Sequence, residues 1–188
     1  MNKLVKDRAL HKKVSNKAKA RFNVEKQKML QAFHHHPVTK EIQAGPEASN
    51  SSGTLIGTGN LYSFIGFADG TDVITPVYNV LNTQTYLAGN PKVTKKANNS
   101  VYLELKINLP SVDDLSFVSP MPWEPGSWLF KIERGISGLG YYIYQKSIGS
   151  ASRSGSGLQS KKKVKQAMYK KTSYISAILS TFKRGINI

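Results

Sequence analysis

Val101-Tyr102-Leu103-Glu104-Leu105-Lys106-Ile107-Asn108-Leu109 places an aliphatic residue at every second position and a polar or aromatic one between. Successive side chains of a strand point to opposite faces, so this alternation predicts a β-strand with one buried and one wet face. Neighbouring stretches read the same way. Leu61 to Phe67, Leu-Tyr-Ser-Phe-Ile-Gly-Phe, is a short apolar run. Trp128 to Glu133 sets Trp128, Phe130 and Ile132 on one side, and Tyr141 to Tyr144 is an aromatic candidate strand. Between them lie turn formers: Asp69-Gly70, Asn90-Pro91, Pro120, Pro122 and Pro125-Gly126. The middle of the chain therefore reads as a small antiparallel sheet.

Outward from that middle, both ends read as helices. Leu4 to Phe33 contains no Gly or Pro and is dominated by good helix formers. Leu10, Val14, Ala18 and Phe22 recur in four-residue steps, with Met29 and Phe33 continuing the stripe. So narrow a stripe predicts docking on a partner subunit or on one face of the sheet. Pro37 ends the helix, because a proline pushes the preceding residue out of helical angles. At the other end, Lys161 to Phe182 is expected as a second helix packed on the sheet, with Val164, Met168, Ile175 and Leu179 in one row and Tyr174, Ile178 and Phe182 in another. Residues 135–160 are rich in Gly and Ser around Arg153, a composition expected to stay flexible or to order against a neighbour. The expectation is one α+β domain over 1–188: a small antiparallel sheet flanked by a long N-terminal helix (extension 1–36) and a C-terminal helix, with a flexible loop at 135–160.

Charge follows the same division. Of 188 residues with net charge +16, residues 1–40 hold 11 Lys plus Arg against 2 acids and residues 151–188 hold 9 against none, whereas 41–150 hold 7 against 9. The body is nearly neutral and the ends are basic. Lys161, Lys162, Lys163 and Lys165 form a basic rim that could meet acidic subunits or phosphates, with Tyr169 and Tyr174 available either to stack on bases or to pack in the core. With no cysteine, neither disulfides nor thiolate metal sites arise, and cytosolic synthesis fits. The first thirty residues lack the apolar run of a secretory signal, and nothing approaches a membrane span.

Candidate chemistry is sparse. His34, His35 and His36 are adjacent, so they diverge, and are expected to be exposed or to serve a cap before Pro37 rather than to bind metal. His11 stands alone on a basic face. Asp113 and Asp114 follow Pro110-Ser111 as turn or cap residues, and Glu124 and Glu133 are expected to pair with cations of a neighbouring chain. Gly57-Thr58-Gly59 lacks the third glycine of a dinucleotide fingerprint. No catalytic, metal or cofactor site and no small-molecule substrate are expected.

The order of elements, together with Trp128-Leu129-Phe130-Lys131-Ile132-Glu133-Arg134-Gly135-Ile136, resembles the tail-completion or head-to-tail joining (neck) family of tailed bacteriophages, in which a strand ends in an apolar pair followed by Glu, one residue and Gly. Residues 54–67 are also similar to segments of phage structural proteins. The family's usual Pro-Phe-Leu stretch is replaced here by the Gly/Ser-rich loop. The resemblance implies a non-enzymatic virion protein, made in the host cytoplasm, whose copies form a ring between portal or adaptor and the tail-tube or tail-terminator proteins, with packaged DNA as a further contact. In such a ring Leu10, Val14, Phe22, Trp128, Glu133, Arg134 and Arg153 are the expected contacts. A basic nucleic-acid-binding protein, gripping phosphates with both ends, is the alternative.

Overall fold

The computed structural model describes residues 8–55, 60–90, 92–95, 101–122, 125–134, 141–144, 158–163 and 170–186. Its class is the expected one, α+β, with a long N-terminal helix, a C-terminal helix and small antiparallel strand pairs. Helix α1 (Arg8–His35) leads into α2 (Pro37–Gln43), a 3-10 turn (Gly45–Glu47), α3 (Leu61–Ile65) and α4 (Ile74–Gln84). Four short strands follow: β1 (Tyr86–Leu87), β2 (Lys92–Lys95), β3 (Val101–Glu104) and β4 (Ile107–Asn108). Then come α5 (Val112–Phe117), α6 (Trp128–Arg134), β5 (Tyr141–Tyr144), β6 (Leu158–Lys163) and α7 (Ile175–Ile186).

The core is helical, which corrects the expected packing. From Ala18 onward the stripe of α1 packs on helices of its own chain: Ala18, Phe22, Met29, Leu30 and Phe33 are buried, and α1 packs on α7 and α4. Phe22 meets Phe182 edge-on with centroids 6.1 Å apart, and Phe33 stacks on Tyr174 at 5.9 Å. The C-terminal helix correspondingly packs on α1 and α6 rather than on the sheet. Both charged ends of the chain thus share one interface. Each large apolar side chain enclosed there contributes about 2 kcal/mol.

Among the described residues, strands occupy three antiparallel pairs, β1 with β4, β2 with β3 and β5 with β6. The long strand read over Val101 to Leu109 is divided accordingly. Its first part pairs Lys92↔Glu104 through Lys95↔Val101, while its second pairs Leu87↔Ile107 and Tyr86↔Asn108. Leu105, Ile107 and Leu109 lie half-buried against the core, so the predicted inward face survives in that half. Tyr141 to Tyr144 is a strand, as read.

Three segments have a different structure from the one their pattern suggests. Leu61 to Phe67 is not a strand. Asn60 caps α3 by accepting from the Ser63 N–H at 2.9 Å, and Gly66 closes it in the left-handed region at φ 86°, where a glycine is favoured. Trp128 to Glu133 is helical too, and it buries Trp128, Leu129 and Ile132, a spacing of one helical turn in place of alternation. The carbonyl of Ser127 accepts from the Lys131 N–H at 3.1 Å and so opens the first turn. Finally, Lys161 to Lys163 belong to β6, and the C-terminal helix begins only at Ile175. Pairing with β5 holds the lysines extended, and the Lys170 N–H donates to the Thr54 carbonyl at 2.7 Å, so the chain enters α7 from an extended approach.

Candidate interaction site

Four carboxylates of the body, Glu41, Asp72, Asp114 and Glu133, accept from backbone N–H groups. Glu41 on α2, only 1% exposed, accepts from the Leu61 N–H and the Ser52 N–H, both at 2.7 Å. It ties Ser52, in the segment joining the 3-10 turn to α3, and the first residue of α3 to α2. Asp72 accepts from the N–H groups of Ile74 and Thr75 at the start of α4, and Asp114 forms a capping box with Ser111 on α5. Hydrogen bonds from Thr75 hold Asp72 below the usual carboxylate range, and those from Ser111 do the same for Asp114. Asp113 and Asp114 were read as turn or cap residues; Asp114 has that role.

Glu133 was expected to meet a cation of another chain. Within its own chain it accepts from the N–H of Tyr174 at 3.0 Å, the N–H of Ser176 at 2.7 Å and the Ser176 hydroxyl at 2.5 Å. It is therefore a cap for α7 supplied by α6. Beside it, the fully buried Tyr174 hydroxyl lies 2.6 Å from the Thr39 hydroxyl, and burial pushes its pKa up. His36 accepts from the Val38 N–H through Nδ1 at 3.3 Å, capping α2 as expected of a histidine before Pro37, and its ring lies 4.7 Å from that of Tyr174. Partial burial lowers the His36 pKa, opposed by a hydrogen bond with the Ser173 backbone and by the charge of Glu133.

The cations of α1 divide into two sets. Arg21 donates through Nε and Nη2 to the Gly185 carbonyl at 3.0 and 2.7 Å, and Lys26 donates to the Asn82 carbonyl at 2.6 Å. Both carbonyls lie in the last turn of a helix, α7 and α4 respectively, where carbonyls lack intrahelical donors and the dipole favours a cation. Burial lowers the pKa of Lys26. Lys19 reaches Asn90 at 2.8 Å and Lys28 pairs with Glu25 at 2.7 Å. The second set precedes these. Lys12, Lys13 and Lys17 are exposed, Val14 is half-buried, and Ala18 is the first buried residue of α1 whose side chain is described. Among the described side chains, the opening turns of α1 thus form a basic arm whose first buried residue is Ala18.

The expected contact residues separate accordingly. Phe22 and Trp128 lie inside the chain's own core, which removes them from any partner surface. Val14 lies on the arm, and Leu10 is on α1 with its side chain outside the described residues, as are those of Lys161, Lys162 and Lys163 on β6. Arg134 is exposed with its guanidinium 5.7 Å from the centre of the Phe130 ring. Arg153, Lys165, Tyr169, Glu124 and the Gly57-Thr58-Gly59 stretch lie outside the described residues, as does most of 135–160.

Two grooves flank the helical body. One of about 360 Å³ is lined by polar groups, among them Gln31, His34, His35 and Tyr78, over Leu30 and Ile74. The other, about 290 Å³, follows the α1–α7 seam past Met29, Ala32, Ile178 and Thr181. His35 places Nδ1 against the Gln31 carbonyl at 2.9 Å. Among the described residues, no group of three His, Cys, Asp or Glu side chains is placed to hold a metal, and no helix is long and apolar enough to cross a membrane. The arrangement is suited to docking through charge and exposed helix faces. Sequence reading passed over Val24 and Phe117, exposed apolar residues of α1 and α5. Val24 lies off the apolar stripe, a sign that it faces away from the core.

No protein-family model, curated protein or solved structure matches the chain.

Proposed function

We propose that the chain is a non-enzymatic structural protein of a tailed-phage virion, one protomer of a ring at the neck or head-to-tail junction, touching portal or adaptor and tail-tube or tail-terminator proteins. The basic arm of α1 carries the reading. A helix of 28 residues whose opening turns extend beyond its buried stretch is a docking element, and its cations favour an acidic partner. The separate two-stranded pairs add support, because a lone hairpin has two unpaired edges and gains stability from a further strand. Light scattering on the purified full chain and negative-stain electron microscopy test the proposal. Rings or discrete oligomers are expected; a compact monomer at high concentration, with no such ring in the particle, defeats it.

The second reading, binding to nucleic acid, is favoured by one observation: Lys12, Lys13 and Lys17 are exposed within two turns of one helix. It predicts affinity that falls by about a thousandfold or more over a fourfold rise in salt if roughly six phosphates are neutralised. Absent or salt-insensitive binding to DNA and RNA removes it.

A further inference from the structure

Two exposed faces of this chain complement each other in charge and in apolar shape. On α5, Leu115 turns into the core, while Phe117 is 86% exposed and Val112 57% exposed. Asp113, also exposed, precedes Phe117 by four residues and so shares its face. On α1, Lys13, Lys17, Ala20 and Val24 follow steps of four, three and four residues, which makes them one row, and all are exposed, Val24 by 52%. Two of the four exposed large apolar residues among those described, Val24 and Phe117, therefore lie on these two faces.

Spacing agrees with charge. At a helical rise of about 1.5 Å per residue, Asp113 and Phe117 stand about 6 Å apart along α5. A ring seated midway between Ala20 and Val24 lies about 7.5 Å along α1 from Lys17. We propose that Phe117 of one copy seats on the Ala20–Val24 row of the next, with Asp113 against Lys17. Since both faces are exposed in the same chain, neither covers the other, and a second copy supplies both complements. Because the faces differ, the contact is head-to-tail, and its repetition closes a ring or extends a filament. The contact rests on the ring reading above and specifies which surfaces make the ring.

The absence of cysteine makes the test direct. Asn23→Cys and Ser116→Cys in one full-length chain, which flank the contact and leave Phe117, Val24 and the charge pair in place, are expected to give a ladder of dimers, trimers and higher species with a short bismaleimide, while either variant alone stops at dimers. In sedimentation velocity, Phe117→Ser and Lys17→Glu each weaken self-association by about tenfold or more, as expected for an interface anchor and for a like-charge clash. Combining Lys17→Glu with Asp113→Lys restores association, a rescue that unfolding cannot mimic. If the wild type assembles while the single variants assemble equally well, or the ladder is missing, this contact is wrong and the ring reading stands. Cross-linking confined to the monomer also overturns the contact. A wild type that remains monomeric at the highest attainable concentration overturns both.

Discussion

The two ends of α7 are held by the same electrostatic device in different surroundings. At its start a carboxylate, Glu133, meets backbone N–H groups beside the buried Tyr174; at its finish a guanidinium, Arg21, meets the exposed Gly185 carbonyl. Both charges oppose the helix dipole in the stabilising sense. They differ in what replaces them when lost. At the Arg21 end water can take over, whereas at the Glu133 end one of the orphaned groups, the N–H of the buried Tyr174, adjoins the Phe33–Tyr174 stack, although Ser176 is exposed. The Glu133 end should therefore behave as part of the core and the Arg21 end as a surface contact.

The largest effect is expected from Glu133→Ala, which leaves two N–H groups and the Ser176 hydroxyl without their acceptor and should cost about 2 kcal/mol. Urea denaturation measures it; a loss within error of zero would mean that solvent already serves those groups. Next is Tyr174→Phe. The ring packing stays, but the Thr39 hydroxyl, on a fully buried residue, loses its partner at 2.6 Å. A loss of about 1 kcal/mol follows, limited because a helical threonine can turn its hydroxyl toward its own backbone.

A smaller effect is specific to pH. Val38 donates to Nδ1 of His36, so the cap requires a neutral ring, and burial lowers the His36 pKa below its ordinary 6.5. The unfolded chain then binds the proton more readily, so the stability contributed by His36 is complete above about 6.5 and is lost as pH falls toward the folded value. Groups facing the ring include Glu133, Tyr174, and Glu25 and Lys28 along the same groove. His36→Asn keeps a capping acceptor but cannot titrate. The wild type should lose about 0.5 kcal/mol more than this variant between neutral pH and pH about 5, given partial exposure. Equal slopes for the two proteins would assign the acid sensitivity elsewhere, for instance to Asp72 and Asp114, whose lowered pKa values also make them stabilise less as pH falls.

What the sequence reveals follows the range of the interactions. The long α1 is read correctly because its period persists over many turns, and the Ser111–Asp114 and His36 caps are local. Segments of five to seven residues are ambiguous by pattern alone, and Leu61 to Phe67 and Trp128 to Glu133 were both misread for that reason. Asn60 and Gly66, bracketing the first, were the local signal for a helix. Glu133 reaching Ser176 across 43 residues, or Arg21 reaching Gly185 across 164, has no local signature. The basic ends were visible as charge, but their division into inward caps and an outward arm depends on which helix faces meet.

The smallest predicted effect decides whether environment or charge sets the contrast between the ends of α7. Arg21→Met keeps a long apolar stem but removes both donors to the Gly185 carbonyl. Its nominal worth as a cation at a helix C-terminus is about 0.3–1 kcal/mol, and exposure to solvent places the expected loss at a few tenths. Salt supplies the second axis. Screening acts strongly on exposed charges and weakly on enclosed ones, so the Arg21→Met loss should vanish in high salt while most of the Glu133→Ala loss persists. Equal losses at low salt that decline together would show that both ends are governed by the dipole alone. A large, salt-resistant loss for Arg21→Met would instead show that the two hydrogen bonds to the Gly185 carbonyl, and not the charge, hold the α1–α7 seam.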